Sequence, residues 1–418
     1  MVRAANTYPE LSLAERDRRW GLLRRFLEEQ GLDCLVVAGP LETRHPDRYI
    51  TNFLTGWVVF PKAGAPVLIT PRGYAITQAL EIARMGEAPM WVTDLRHART
   101  GRELGKHLKS LAYERSKIGV VGLSMGELSV EGWIPYRTWA DVLEELPNAS
   151  FIDVTRPYVE LVSVKSEEEL QMVRKAADVA ELACEEMLRV VKPGIRESDV
   201  VAAVMNVVYG HGCVGSLLPH LGPLILQSGP STFGGGPPRW VTRGGEPRML
   251  KKGDFLRAEI FSIYGGYEAQ AHMYISLGTP DDNTLRAAEV ARASYDEGVK
   301  ALMPGALFSG VKAAMEKPFA GDAKVGTGTL IHSLNICYFS SESNIAISDV
   351  AGGDKLKWAQ SDRGRGGDIV IQAGMVFEVE PKCSVNGRVA YLGGTVVVTE
   401  KGAVELNEIS TRIHTVKG

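Results

Sequence analysis

Two short stretches, KKGDFLRAEI at 251–260 and QAGMVFEVEP at 372–381, decide how this chain is interpreted. In each stretch a glycine is followed six residues later by a glutamate, Glu259 in the first and Glu380 in the second. Each continues from a turn glycine into an apolar run, a pattern that predicts a β-strand. The two glycines are 374 − 253 = 121 residues apart.

A second repeated motif precedes each of these stretches. The segments VVKPGIRESDVVAAV at 190–204 and ALMPGALFSGVKAAM at 301–315 both have the pattern helix, Pro-Gly turn, helix. Their prolines are 304 − 193 = 111 residues apart. Two matches in the same order at similar offsets predict a duplicated helix–helix–strand unit. Two such halves facing each other would place Glu259 and Glu380 near the axis that relates them.

The first 160 residues show a different organisation. Ser12 and Glu15 form a capping-box pattern that opens a helix over 13–30, which Gly31 ends. Short β-rich runs follow at Cys34–Ala38, Pro66–Thr70 and Ile118–Val121. We therefore expect an α/β domain over 1–160. A second domain over 161–418 begins with a long helix, for which Ser166 and Glu169 form another capping box.

Composition is that of an ordinary globular protein, with 418 residues, 45% hydrophobic and 23% charged. The 47 basic and 50 acidic residues leave a formal charge of −3, which gives no indication of nucleic-acid or membrane binding. The five cysteines are widely spaced and predict neither a disulfide framework nor a zinc site. The N-terminus lacks the apolar core of a signal peptide, so we expect a cytoplasmic protein.

The repeated motifs, VSVKSEEELQMVRKAADVAE at 162–181 and QSGPS at 227–231 together resemble the creatinase/aminopeptidase P/methionine aminopeptidase family. The resemblance implies an α+β "pita-bread" C-terminal domain, with duplicated αβ halves around a curved antiparallel sheet. A smaller creatinase-type α/β domain would precede it. The resemblance also implies a homodimer.

Active peptidases of that family hold two metal ions with two Asp, one His and two Glu. Carried over to this chain, the two Asp positions fall on Glu259 and Gln270, and the two Glu positions fall on Glu380 and Gly393. Where the family histidine would lie, AKVGTGTLIHS at 323–333 has valine and threonine. Only two of the five positions keep an anionic oxygen. We therefore expect no metal and no other cofactor.

Creatinase is the metal-free enzyme of the family, and GTLIH at 328–332 resembles its GTL-x-H segment, which places His332 in the pocket. His272 falls near a substrate-binding Glu of creatinase. The region between Ser228 and Lys251 contains no histidine, so creatine itself is not the expected substrate. The leading hypothesis is a metal-independent hydrolase or lyase that breaks a C–N bond in a small nitrogen-containing polar molecule. In this hypothesis, His272 or His332 transfers the proton.

Strand alternation adds further candidates to the site. Glu268, Gln270 and His272 share one face of a predicted strand, and Arg257 shares a face with Glu259. In this hypothesis Glu259 and Glu380 position substrate or water, and Gln270, Arg257 and Glu268 bind substrate. The alternatives are a solvated Glu268, a satisfied core His272 and a plain Arg257–Glu259 ion pair.

The Gly/Pro-rich segment 233–247 contains Arg239 and Trp240 and has little predicted secondary structure. A loop of this kind is typical of a lid, and an Arg beside a Trp suits a planar or carboxylated ligand. The alternative is an ordinary solvated loop.

Two further functions stay open at this level. One is a metal-dependent Xaa-Pro aminopeptidase or dipeptidase with a reduced site, in which Glu259, Glu380 and a histidine bind one divalent ion. The other is a non-catalytic ligand-binding protein of the same fold.

Overall fold

The computed structural model describes residues 6–39, 45–86, 89–124, 132–216, 222–230, 236–325, 329–334, 339–342 and 369–417. The described residues between 10 and 163 form one compact unit, and residues 6–9 with the described residues from 164 onward form a second. No helix in the described part of the chain has the length and apolar character needed to cross a membrane.

The N-terminal unit is built on a six-stranded mixed sheet with helices between the strands. Its elements are α1 (Leu13–Glu29), β1 (Cys34–Ala38), α2 (Arg48–Thr51), β2 (Trp57–Pro61), β3 (Val67–Thr70), α3 (Gly73–Met85), β4 (Asp94–His97), α4 (Gly101–Ser110), β5 (Lys117–Val121), α5 (Tyr136–Glu145), β6 (Ser150–Asp153) and α6 (Thr155–Ser163). The strand order is β4-β3-β2-β1-β5-β6. The predicted first helix and the three predicted strands are all present, with bounds that differ by one residue at most.

The C-terminal unit contains a larger sheet. Its elements are α7 (Glu167–Val190), α8 (Glu197–Gly210), β7 (Ile225–Gly229), α9 (Arg239–Arg243), β8 (Phe255–Tyr264), β9 (Tyr267–Leu277), α10 (Asp282–Ala301), α11 (Phe308–Glu316), β10 (Ala323–Val325), β11 (Thr329–Ser333), β12 (Ser340–Glu342), β13 (Val376–Val379), β14 (Lys382–Val385), β15 (Arg388–Tyr391), β16 (Gly393–Thr399), β17 (Gly402–Glu405) and β18 (Ile413–Val416). Seven strands pair antiparallel in the order β12-β11-β13-β16-β9-β8-β7. Strand β17 pairs with β16, and β18 pairs parallel with β9. Strands β10, β14 and β15 form a separate small sheet.

The backbone at the two Pro-Gly turns confirms the internal duplication. Gly194 and Gly305 have φ values of +90° and +88°, a left-handed conformation that favours glycine. The Gly194 N–H donates to the Leu250 carbonyl at 2.9 Å, and the Gly305 N–H donates to the Ile371 carbonyl at 2.8 Å. Each turn is therefore hydrogen-bonded to the segment that precedes the strand leading to the glutamate of its own half, which is β8 in the first half and β13 in the second.

The glycines that precede β8 and β13 also have matching φ values and hydrogen bonds. Gly253 has φ +86° and donates to the Leu277 carbonyl at 2.7 Å, while Gly374 has φ +92° and donates to the Val398 carbonyl at 2.8 Å. Because the glycine geometry is repeated, β8 and β13 start in equivalent places. The glutamates six residues after each glycine occupy equivalent positions in the two halves.

Core packing determines which face of β8 carries the functional side chains. Leu256, Ala258 and Ile260 belong to a buried apolar cluster with side chains of α7 and α8. Because strand side chains alternate between faces, the intervening Arg257 and Glu259 lie on the opposite face. The helices therefore cover the apolar face of β8, and the opposite face is left for polar side chains.

The capping box that opens α7 gives a stability prediction. The Ser166 hydroxyl accepts the Glu169 N–H at 3.2 Å, and the Glu169 carboxylate accepts the Ser166 N–H at 2.9 Å and the Tyr267 hydroxyl at 2.9 Å. Ser166→Ala removes one of these bonds and is expected to lower the free energy of unfolding by about 1 kcal/mol. Urea denaturation measures it, with Ser309→Ala in the first turn of α11 as the control. Equal losses in the two variants would contradict the capping role.

Candidate metal centre

Antiparallel pairing of β8 and β9 brings the first two site residues together. Glu259 lies directly opposite His272, and Phe261 lies opposite Gln270. Residues directly opposite in a pair share a face, so the Glu259 carboxylate and the His272 ring lie side by side. His272 is fully buried and Glu259 is 8% exposed.

The second half of the duplication contributes two carboxylates from one chain segment. Glu378 lies in β13 opposite His332 of β11 and Thr395 of β16, and Glu380 follows just after the strand. Alternation places Glu378 and Glu380 on the same face. Glu378 is fully buried and Glu380 is 4% exposed.

The His272 ring is the meeting point of these side chains. Its Nε2 lies 3.2 Å from Glu380 Oε2, 3.8 Å from Glu259 Oε2 and 3.8 Å from Glu378 Oε1. Neither ring nitrogen has an aligned hydrogen-bond partner among the described residues. A buried imidazole without an aligned hydrogen bond, surrounded by carboxylate oxygens, is an arrangement that a bound cation would satisfy.

The ring fits because position 393 is a glycine. Gly393 of β16 pairs directly with His272. A Cβ atom at this position would lie 2.8 Å from His272 Cδ2, 2.9 Å from the Val379 carbonyl and 3.1 Å from Glu378 Oε1. The absence of a side chain at Gly393 therefore leaves the space that the His272 ring occupies.

His332 lies on the other side of Glu380. Its Nδ1–H donates to the Ser333 carbonyl at 2.9 Å, and its Nε2 lies 3.7 Å from Glu380 Oε1. The Thr329 hydroxyl also donates to Glu380 Oε1. The Ser333 carbonyl thus fixes the tautomer and orients Nε2 toward the carboxylates.

Burial and neighbouring charge shift the two β13 carboxyls in opposite directions. Burial, and then the carboxylates of Glu380 and Glu259, raise the pKa of Glu378 well above its usual value. Burial also raises the pKa of Glu380. The Lys382 ammonium, together with His272 and His332, outweighs this effect and holds the pKa of Glu380 well below its usual range. The centre therefore carries one carboxylate that favours the charged form and one that favours the neutral form.

The donor set suits a single divalent ion. One ligand atom from each of Glu259, His272 and Glu380 lies within 4.8 Å of the other two. Bonds of about 2.0–2.2 Å to three such donors require only small side-chain adjustments. Two carboxylates and one imidazole match the ligands that Zn, Mn, Fe and Co ions take in catalytic sites, with a coordination position left open.

The remaining β8 and β9 candidates border this centre. The Gln270 amide donates to Glu268 Oε1 at 2.6 Å, and its backbone N–H donates to the Thr395 hydroxyl at 2.9 Å. Arg257 lies 3.9 Å from Glu259 Oε2, and its guanidinium is 3.8 Å from the centre of the Tyr391 ring. Glu268 is 8% exposed rather than solvated, and neither ring nitrogen of the buried His272 has an aligned hydrogen-bond partner among the described residues. Substrate roles for Gln270, Arg257 and Glu268 stay predictions.

Arg239 and Trp240 are placed elsewhere in the unit. They lie in the short helix α9, within the segment for which little secondary structure was expected, and line a cavity of about 230 Å³. Glu197, Ser228 and Arg248 line it too, whereas Glu259, His272 and Glu380 do not. A substrate-binding role for this pair stays a prediction. Part of the expected lid, residues 233–235, and part of GTLIH, residue 328, lie outside the described residues.

Sequence reasoning missed two members of the centre, Glu378 and Lys382. The signal for Glu378 was present, because it lies two positions before Glu380 and alternation puts both on one face. Lys382 gave no such signal. It begins β14 in the small sheet, and only the folded chain shows its Nζ at 2.8 Å from Glu380 Oε2.

A buried set of carboxylates around an imidazole is a candidate catalytic centre. Family comparison agrees: residues 171–400 match metallopeptidase family M24, and residues 19–161 match the creatinase/prolidase N-terminal domain. The chain belongs to metallopeptidase family M24 and is a hydrolase with the expected pita-bread fold, preceded by a creatinase-type domain.

Several similar proteins are named as dipeptidases. The chain is 26% identical over 361 residues to the probable dipeptidase PepE of Mycobacterium tuberculosis, covering 84% of this chain and 82% of that protein. It is 22% identical over 406 residues to the Xaa-Pro dipeptidase of Pyrococcus furiosus, with coverages of 92% and 96%. The crystal structure of dipeptidase PepE from Mycobacterium ulcerans superposes with a TM-score of 0.69 at 19% identity, covering 98% of this chain and 100% of that one.

These findings overturn the leading hypothesis from the sequence. A metal-independent, creatinase-like hydrolase is wrong, because the chain belongs to a metallopeptidase family and its relatives over most of its length include dipeptidases. The mistake came from counting ligands only at the family positions. His272 enters the site from a different position, in space left by Gly393.

The Gly393–His272 coupling can be tested directly. Gly393→Ala puts a methyl group against the His272 ring and the Val379 carbonyl, and we expect a loss of about 1–3 kcal/mol in the free energy of unfolding. Denaturant unfolding of the purified variant measures the loss. Gly310→Ala, where no atom lies within 4 Å of an added Cβ, is the matched control and should be neutral or slightly stabilising. A stable Gly393→Ala variant would contradict the packing argument.

Proposed function

We propose that the chain is a metal-dependent dipeptidase of the Xaa-Pro type that works with a single divalent ion. The observation that supports it most is the buried set of Glu259, His272 and Glu380, whose ligand atoms converge within 4.8 Å. The names of the relatives support the substrate class, and the donor set supports the number of ions.

The donor set is sufficient for one ion and poor for two. Two ions about 3.5–4 Å apart need several shared anionic oxygens. Gln270 offers a neutral amide oxygen rather than an anionic one, and Gly393 offers no side chain.

Each residue has a distinct task in this proposal. When bound, a divalent ion would supply Lewis-acid polarisation of the scissile carbonyl and would acidify a water molecule. Glu259, His272 and Glu380 hold it. His332 keeps its Nδ1–H on the Ser333 carbonyl, so its Nε2 is the nitrogen that exchanges a proton with the leaving amine. The buried surroundings exclude bulk water and strengthen these interactions.

Metal analysis and a substrate panel test the proposal. Protein loaded with Mn²⁺, Co²⁺ or Zn²⁺ is expected to retain about one equivalent of ion and to cleave Xaa-Pro dipeptides. Chelation should abolish cleavage, and the ion should restore it. Xaa-Ala dipeptides and creatine serve as comparison substrates. Cleavage that survives chelation, or two tightly held ions, would count against the single-ion dipeptidase.

A variant of one ion-binding residue tests ion binding separately from folding. His272→Ala is expected to weaken ion binding by more than about 100-fold and to reduce turnover accordingly, because it removes the nitrogen donor. Titration calorimetry with Mn²⁺ gives the affinity. His211→Ala is the control, since that ring contacts the Val207 carbonyl at the end of α8, away from the centre. Unchanged ion affinity in His272→Ala would rule out the assignment.

Assembly and location remain predictions. A homodimer is expected from the family resemblance, and static light scattering at micromolar concentration measures it. A monomer there would contradict the expectation. The cytoplasmic location is likewise a prediction from the N-terminal sequence.

A further inference from the structure

Lys382 is a buried cation inside the centre that the proposed ion chemistry does not use. Its side chain is 9% exposed, and its Nζ lies 2.8 Å from Glu380 Oε2. That oxygen is also the one that lies 3.2 Å from His272 Nε2. The ammonium therefore shares an oxygen with the donor set for the ion.

The chain path places Lys382 there. The large sheet ends its β13 pairing just before Glu380, Pro381 follows, and β14 starts the small sheet at Lys382, which pairs with Tyr391. The Leu392 N–H donates to the Pro381 carbonyl at 3.3 Å. This corner holds the start of β14 against the end of β13, so the lysine side chain folds back onto the carboxylate two residues earlier.

Local charge explains why a lysine is tolerated in this position. Burying an ammonium is costly unless it is paired, and burying several carboxylates together is costly without a compensating cation. Glu259, Glu378 and Glu380 all lie within 3.8 Å of the His272 ring nitrogen. A cation beside them lowers the electrostatic cost of the cluster. It also repels a metal ion that approaches the same oxygen.

We propose that Lys382 is a built-in second cation of the centre: its ammonium occupies the region where a second ion would bind, limits the site to one divalent ion and orients Glu380. This inference rests on the single-ion site proposed above and assigns Lys382 as a positioning residue. If the lysine were purely structural, its removal would lower the stability of the fold without raising the affinity for the ion.

Removal of the charge tests the assignment through ion binding. In Lys382→Met, the affinity for Mn²⁺ measured by titration calorimetry is expected to rise at least tenfold, because a competing cation has left Glu380. The metal-free variant should melt at a lower temperature than the wild type, since Glu380 loses its partner. Added Mn²⁺ should then raise its melting temperature more than that of the wild type.

Companion variants make the result specific. Lys382→Gln, which is also neutral, should repeat the gain in affinity if Lys382→Met does not fold. Lys382→Arg keeps the charge and should keep the wild-type affinity. Lys401→Met, in the exposed turn between β16 and β17, removes the same charge at a distance and should change the affinity less than twofold.

Turnover provides a second readout in the active protein. Lys382→Met is expected to lower kcat for an Xaa-Pro dipeptide at least tenfold with saturating Mn²⁺, while ion affinity rises. Opposite changes in affinity and kcat distinguish a positioning cation from a lysine that only supports the fold.

The outcomes separate the two proposals. Unchanged or weaker Mn²⁺ binding in both neutral variants overturns the role of Lys382 and leaves the dipeptidase proposal standing on its own assays. Two equivalents of Mn²⁺ in the wild type overturn both the role of Lys382 and the single-ion form of the proposed function. Binding only after Lys382 is neutralised supports the lysine as an internal cation and overturns the ion-dependent function of the wild type. No binding in any variant overturns both.

Discussion

The crowding of negative charge on one buried face of the large sheet is the constraint on which the centre depends. Glu259, Glu378 and Glu380 surround the His272 ring, and nearly all of this surface is hidden from water. Carboxylates that are buried together raise one another's pKa unless cations offset them. The opposite shifts of Glu378 and Glu380 follow from where the Lys382 ammonium lies. A divalent ion would add to the same balance, which is the basis for the proposed link between the number of ions and the lysine.

The duplicated backbone makes this crowding possible. Each half enters its functional strand through a left-handed glycine with matched hydrogen bonds, so each half delivers a glutamate to an equivalent point. Helices α7 and α8 cover the apolar face of β8 and β9 and leave the polar face for the site. Pairing between β9 and β16 joins the halves and sets Gly393 opposite His272. The close approach of the two halves then depends on the absence of a side chain at that glycine.

The main error in the sequence-based interpretation has a physical origin. A linear comparison asks whether each ligand position still carries a ligand, and three of five did not. It cannot detect that a small residue on one strand makes room for a donor on its neighbour, because the two positions are 393 − 272 = 121 residues apart. Glu378 was within reach of the alternation argument. Lys382 was not, since its approach depends on the corner at Pro381 between two sheets.

The sequence by itself determined the repeat, the two glutamates that the repeat places in register, the capped helices and the residues that share a strand face. These depend on periodicity, turn glycines and capping, which act over a few residues and can be read locally. The tertiary structure alone decided which donors converge on His272, where Arg239 and Trp240 lie, and that a lysine stands beside Glu380. These are distances between residues on different strands and sheets, and they depend on how the strands pair and where the chain turns rather than on any local pattern.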